Sequence, residues 1–108
     1  MSRFTDALEH ILTTIDARKG GDTTASWTAK LLADPRLAAK KLGEEAVELV
    51  QAAALQDRDG MAGEAADVIY HLLALLAAEG IGVDAVAQKL EARQGQSGIA
   101  EKASRPKA

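Results

Sequence analysis

Residues 40–71 read KKLGEEAVELVQAAALQDRDGMAGEAADVIYH, and this stretch decides the fold. Leu42, Ala46, Leu49 and Ala53 recur at spacings of three and four, the period of an apolar helix stripe. Lys41, Glu44, Glu45 and Glu48 form a polar stripe beside it. The spacing predicts a long helix over 35–55, a turn at Asp57-Arg58-Asp59-Gly60 and a second long helix over 61–79. On that second helix Ala62, Ala65, Ile69, Leu72, Leu73 and Leu76 make the expected core side, while Glu64, Asp67 and His71 line another face. A short connection makes the two helices antiparallel neighbours, so the two acidic faces can converge. Carboxylates gathered around one cavity repel, so either their pKa values rise or cations fill the site. Hard divalent ions with oxygen ligands, above all Mg2+, suit such a cluster.

Working outward, Phe4, Leu8, Ile11, Leu12 and Ile15 predict an amphipathic helix that Gly20 and Gly21 end. Ser26 is placed to cap a short turn that begins at Trp27, and Asp34-Pro35 pairs a capping residue with proline at the first helical position. Towards the C-terminus, Gly80-Ile81-Gly82 stops the second long helix. Val83, Val86 and Leu90 mark a further short helix ending near Arg93. Strand signals and internal repeats are lacking. The expected fold is therefore all-α, an antiparallel bundle of four to five helices completed by a second copy. Residues 1–93 form its one domain, and 94–108 read as a polar tail, extended or mobile.

Composition narrows the function. A chain of 108 residues suits one small domain that buries roughly two-thirds of its unfolded surface. Thirteen basic against sixteen acidic residues give a net charge of −3, which argues against a nucleic-acid surface. The sequence has no cysteine, so thiolate metal sites and disulfides are excluded, and with two histidines zinc fits poorly. Arg3, Asp6, Glu9 and His10 interrupt any signal-peptide pattern, and the longest apolar run, 72–78, is short for a membrane span. A soluble cytoplasmic protein is the plain expectation. No glycine-rich phosphate loop, His-Glu-x-x-His motif or nucleophile elbow occurs.

Each candidate has a bland counterpart. Glu44, Glu45 and Glu48 alone suit a solvated face paired with Lys40 and Lys41. Glu64 and Asp67 shift the balance, because no lysine or arginine lies between Met61 and Glu79 and the segment is otherwise apolar. Unpaired carboxylates buried there would carry a heavy desolvation cost unless cations neutralise them. His71 suits either a hydrogen-bond partner inside the fold or a substrate contact. Trp27 suits a core or interface anchor, or a platform on which a base stacks. Lys30, Lys40, Lys41, Arg93, Lys102 and Arg105 suit phosphate contacts or plain solvation.

Glu-Glu-x-x-Glu at 44–48, followed by Glu-x-x-Asp at 64–67, resembles the signature of the MazG-like all-α nucleotide pyrophosphohydrolases. SWTAKLL (26–32), KKLGEEAVELVQAA (40–53), GEAADVIYHLLALLA (63–77) and SGIAEKASR (97–105) resemble, within that superfamily, the phosphoribosyl-ATP pyrophosphatases of histidine biosynthesis. The resemblance implies Mg2+-dependent hydrolysis of the α–β phosphoanhydride of phosphoribosyl-ATP, in a homodimer or higher homo-oligomer. It implies metal ligands Glu45, Glu48, Glu64 and Asp67, with Glu44 a further ligand or a water-orienting group. Substrate contacts are expected from Trp27, Thr28, Lys30, Lys41, His71, Arg93, Lys102 and Arg105, with the tail closing over the substrate. Tryptophan at 27 stands where tyrosine is commoner. Two rival readings remain: a house-cleaning nucleoside triphosphate pyrophosphohydrolase on the same metal site, and a non-enzymatic metal-binding helical dimer.

Overall fold

In the computed structural model, which describes residues 2–94 together with 102, 103 and 105, the two long helices form an antiparallel hairpin. These are α3 (Pro35–Ala54) and α4 (Arg58–Ala78), and their packing against each other is the most extensive in the chain. Around them lie α1 (Arg3–Arg18), α2 (Trp27–Ala33) and α5 (Val83–Ala92), and no strand occurs among the described residues. The all-α expectation holds.

Side-chain caps start four of the helices. Ser2 Oγ accepts from the Thr5 amide at 3.1 Å, Ser26 Oγ from Ala29 at 3.1 Å, Asp34 Oδ1 from Leu37 at 3.2 Å and Asp57 Oδ1 from Gly60 at 2.9 Å. Each satisfies an amide that the helix itself leaves unpaired. Asp34 also closes α2, so α2 and α3 meet at one residue and Pro35 takes the first helical position. In the α1–α2 loop, Asp22 Oδ1 accepts from both the amide (2.8 Å) and the hydroxyl (2.7 Å) of Thr24.

One boundary differs from expectation. The residues 57–60 are not a turn: α4 begins at Arg58, one turn earlier than 61. Gly60 looks like a breaker in sequence, but it sits where a Cβ would collide with the Asp57 carboxyl, so glycine keeps this cap in place.

The core is small and lies between α2, α3 and α4. Leu31, Ala38 and Ala74 are fully buried, with Leu37, Tyr70 and Leu75 packed around them. Two of the three buried residues are alanines, which lets the helix backbones approach closely. Burying Leu31 contributes about 1.5–3 kcal/mol. The side of α4 that actually faces this core carries His71 and Ala74. Ala62 and Leu72, expected inside, are exposed, Leu72 by 39%. The physical reason is that α4 is apolar nearly all round, so its periodicity does not select one face. By length and composition α4 would even reach across a membrane, yet only 11% of its apolar window is buried. Its outer face is uncovered.

Candidate metal and substrate site

Ala38 and Ala74 belong to one buried cluster, and ten residues along each helix Glu48 and Glu64 come together. One antiparallel register therefore serves the whole hairpin. It sets Glu45 level with Asp67 and Lys41 level with His71.

Glu45, Glu48 and Glu64 bring carboxylate oxygens within 4.8 Å of one another. Glu45 and Glu48 lie three apart on α3, and Glu64 reaches them from α4, as the acidic spacing predicts. Glu48 is held above the ordinary glutamate value, first by a hydrogen bond with Glu45 and then by the Glu45 charge. Two carboxylates bond to each other only by sharing a proton, so the pair stores a charge conflict. Asp67 adds to it: its charge also raises Glu48.

Glu64 Oε2 is buried and has no hydrogen-bond partner. A buried acceptor left unpaired costs about 1–3 kcal/mol, and more when ionised. The donor set is all oxygen and anionic, and one oxygen is buried without a proton to accept. These residues fit a hard divalent cation.

Two expected ligands stand differently. Asp67 is exposed and lies outside the 4.8 Å group, so the desolvation argument made for it fails; it holds for Glu64. The open outer side of α4 leaves Asp67 in water. Glu44 points away from the cluster and pairs with Lys41 at 3.0 Å, which lowers the Glu44 carboxyl and raises the Lys41 ammonium.

Lys41 links the acidic cluster to Trp27. Its Nζ lies 6.0 Å from the centre of the indole ring, and Lys30 Nζ lies 5.9 Å from it. Trp27 is 44% exposed, so it is no core anchor but an open aromatic surface flanked by two cations. Thr28 does not face outward in the same way: its hydroxyl meets the Tyr70 hydroxyl at 2.5 Å and ties α2 to α4. Periodicity had no means of finding Tyr70, because the hydroxyl bond spans 42 positions of sequence.

His71 is 6% exposed. Its Nδ1 donates to the Asp67 carbonyl at 2.8 Å, and Nε2 is buried without a partner. At that exposure the ring offers little surface to a substrate in this conformation, and its edge packs against the neighbouring Tyr70 ring. Arg93, at the end of α5, and Lys102 and Arg105 are exposed, and the remaining tail positions, with the expected closure, fall outside the described residues.

A family model described as phosphoribosyl-ATP pyrophosphohydrolase matches residues 8–94. A curated relative named phosphoribosyl-ATP pyrophosphatase from Caulobacter vibrioides is 66% identical over 103 residues, covering 95% of this chain and 96% of that protein. Relatives of the same name from Caulobacter sp. (strain K31) and Cereibacter sphaeroides (strain KD131) are 60% identical over 106 residues and 56% identical over 99. They cover 98% and 91% of this chain, and 99% and 96% of their own lengths. The geometry and the length of the match agree, and the chain belongs to the phosphoribosyl-ATP pyrophosphohydrolase family.

Proposed function

We propose that this protein hydrolyses phosphoribosyl-ATP to phosphoribosyl-AMP and pyrophosphate, as a step of histidine biosynthesis in the cytoplasm. The observation that carries the reading is the convergence of Glu45, Glu48 and Glu64 from two helices. Family membership supplies the substrate class. Glu45, Glu48 and Glu64 would hold Mg2+, and Asp67, one turn from Glu64, would complete the set. Such a cation supplies Lewis acidity: it offsets the substrate's charge and makes water acidic enough to yield a proton near neutral pH.

The chain's own groups do the rest. A triphosphate of about four negative charges is repelled by bare carboxylates and drawn by ammonium groups. Lys41 stands at the border, one nitrogen shared between Glu44 and the Trp27 ring. Once the substrate arrives, Lys41 and Lys30 are placed to take phosphate oxygens, and the Trp27 face to stack on the adenine. Charge that develops on the departing pyrophosphate falls near these cations. Glu44, outside the cluster and hydrogen-bonded, orients water rather than binding metal. Arg93, Lys102 and Arg105 would add phosphate contacts from the C-terminal end, and the active unit would be a homodimer or higher homo-oligomer.

Pyrophosphate release from phosphoribosyl-ATP, ATP and dITP, each with Mg2+ and with EDTA, tests the reading. Metal-dependent turnover confined to phosphoribosyl-ATP is expected. Turnover of the simpler triphosphates instead would move the chain to nucleotide housekeeping, and no turnover of any would make the acidic cluster structural.

A further inference from the structure

The candidate site is split between two bodies. Its carboxylates stand on the α3–α4 hairpin, while Trp27 and Lys30 stand on α2, a helix of only seven residues. A substrate whose base and phosphates are covalently joined engages both bodies only if their separation is right. The C-terminal end of α2 is firmly fastened: Leu31 is fully buried with Ala38 and Ala74, and Asp34 closes α2 while it caps α3. The N-terminal end has less to hold it. Residues 19–25, which lead into it, are exposed throughout, and Trp27 at its first position is 44% exposed. Ala29 is buried there, but it offers one methyl group.

The Thr28–Tyr70 hydroxyl bond of 2.5 Å sits at this weaker end. Tyr70 is well placed to anchor it. Its ring packs against the core cluster and meets the His71 ring edge-on, 4.9 Å between centroids and 82° between planes. Tyr70 also stands on the helix that carries the carboxylates, three residues after Asp67 and six after Glu64, about 4.5 and 9 Å along the axis. A phenylalanine could pack the same ring, so the hydroxyl supplies a connection that packing alone does not require.

We propose that Thr28 and Tyr70 are positioning residues, whose hydroxyl bond holds Trp27 and Lys30 at the separation from the carboxylates that a nucleotide substrate spans. Neither hydroxyl touches the substrate. The bond keeps the binding-competent placement of α2 populated before substrate arrives, and apparent affinity falls in proportion to that population. Once bound, the substrate itself bridges the two bodies, so the chemical step does not depend on the bond. The proposal takes its substrate from the functional reading above, but the placement of α2 can be read without any substrate.

Trp27 is the protein's one tryptophan, so its fluorescence reports on α2 alone. Tyr70→Phe keeps the ring and removes the hydroxyl. In the substrate-free full chain this variant should show a larger fast component in the Trp27 anisotropy decay than the parent. Its KM for phosphoribosyl-ATP should rise about 3- to 10-fold, the range of one neutral hydrogen bond, at unchanged kcat and an unchanged Mg2+-induced shift in Tm. Thr28→Val breaks the same bond, so it should add nothing in the Tyr70→Phe background, and Thr28→Ser should keep the parent KM. An unchanged Trp27 decay in Tyr70→Phe overturns the proposal. So does a fall in kcat at unchanged KM, or a further rise in KM when Thr28→Val is added, which would put Thr28 on the substrate itself. A protein that turns over no phosphoribosyl-ATP, yet whose Trp27 loosens in Tyr70→Phe, would sink the functional reading and leave the positioning of α2 standing.

Discussion

Glu64→Gln keeps the side chain's shape and removes one of three charges whose oxygens lie within 4.8 Å of one another. If the cluster is a cation site, the variant behaves oppositely with and without metal. In EDTA it should unfold at the parent temperature or above, because the amide brings no charge to a buried position whose oxygen has no partner and lies within 4.8 Å of two other carboxylates. With Mg2+ at a hundred times its dissociation constant, linkage adds about 2.7 kcal/mol to the parent. For a domain of this size that raises Tm by roughly 10–20 °C. Loss of a ligand carboxylate weakens the cation by at least about 100-fold, the upper range for loss of a supporting residue. The same Mg2+ concentration then adds only about 0.4 kcal/mol, a shift of about 2–3 °C. Calorimetry of both proteins in EDTA and in Mg2+ reads all four values. A variant that keeps the full Mg2+ shift would show that Glu64 is not a ligand. One that melts more than about 5 °C below the parent in EDTA would show that the charge has a structural partner after all.

Three further outcomes follow from single residues. Gln56 holds φ at +58°, in the left-handed region just after α3, so Gln56→Gly should stabilise the chain by about 0.5–1 kcal/mol, read as a higher urea midpoint at unchanged slope. Asp22 is lowered from its usual 3.8, chiefly by the Thr24 hydroxyl and then by the Thr24 amide. Its folded pKa lies below the unfolded one, so its stabilisation is full above pH 3.8 and is lost as pH falls through the depressed value; Asp22→Asn should therefore melt with a shallower acid limb than the parent. Leu31→Ala removes the largest fully buried side chain among the described residues and should cost about 2–5 kcal/mol in denaturant unfolding, with the helical spectrum retained under native conditions.

Much of the hairpin was legible because local rules agree along it. Asp34-Pro35 opens α3, the apolar stripe carries it to Ala54, and Gly80-Ile81-Gly82 closes the other arm. Gly60 misled for a local reason as well: its turn preference lost to the Asp57 cap, whose carboxyl occupies the space a Cβ would need. The core of α4 was harder. A helix apolar on every side has no preferred face in sequence, and only the position of α2 and α3 turns His71 and Ala74 inward while Leu72 stays out.

The site divides in the same way. Sequence alone indicated that the acidic faces of 44–48 and 64–67 can converge, since spacings of three along helices joined by a short connection place them on facing stripes; the structure brings Glu45, Glu48 and Glu64 of these together. Only the tertiary structure decided that Asp67 faces water and Glu44 turns to Lys41. It also decided that His71 is sealed, and that Trp27 stands open between two lysines. Those outcomes depend on which neighbour covers each face. Helical periodicity fixes the angle at which a side chain leaves its own axis, but not what lies opposite.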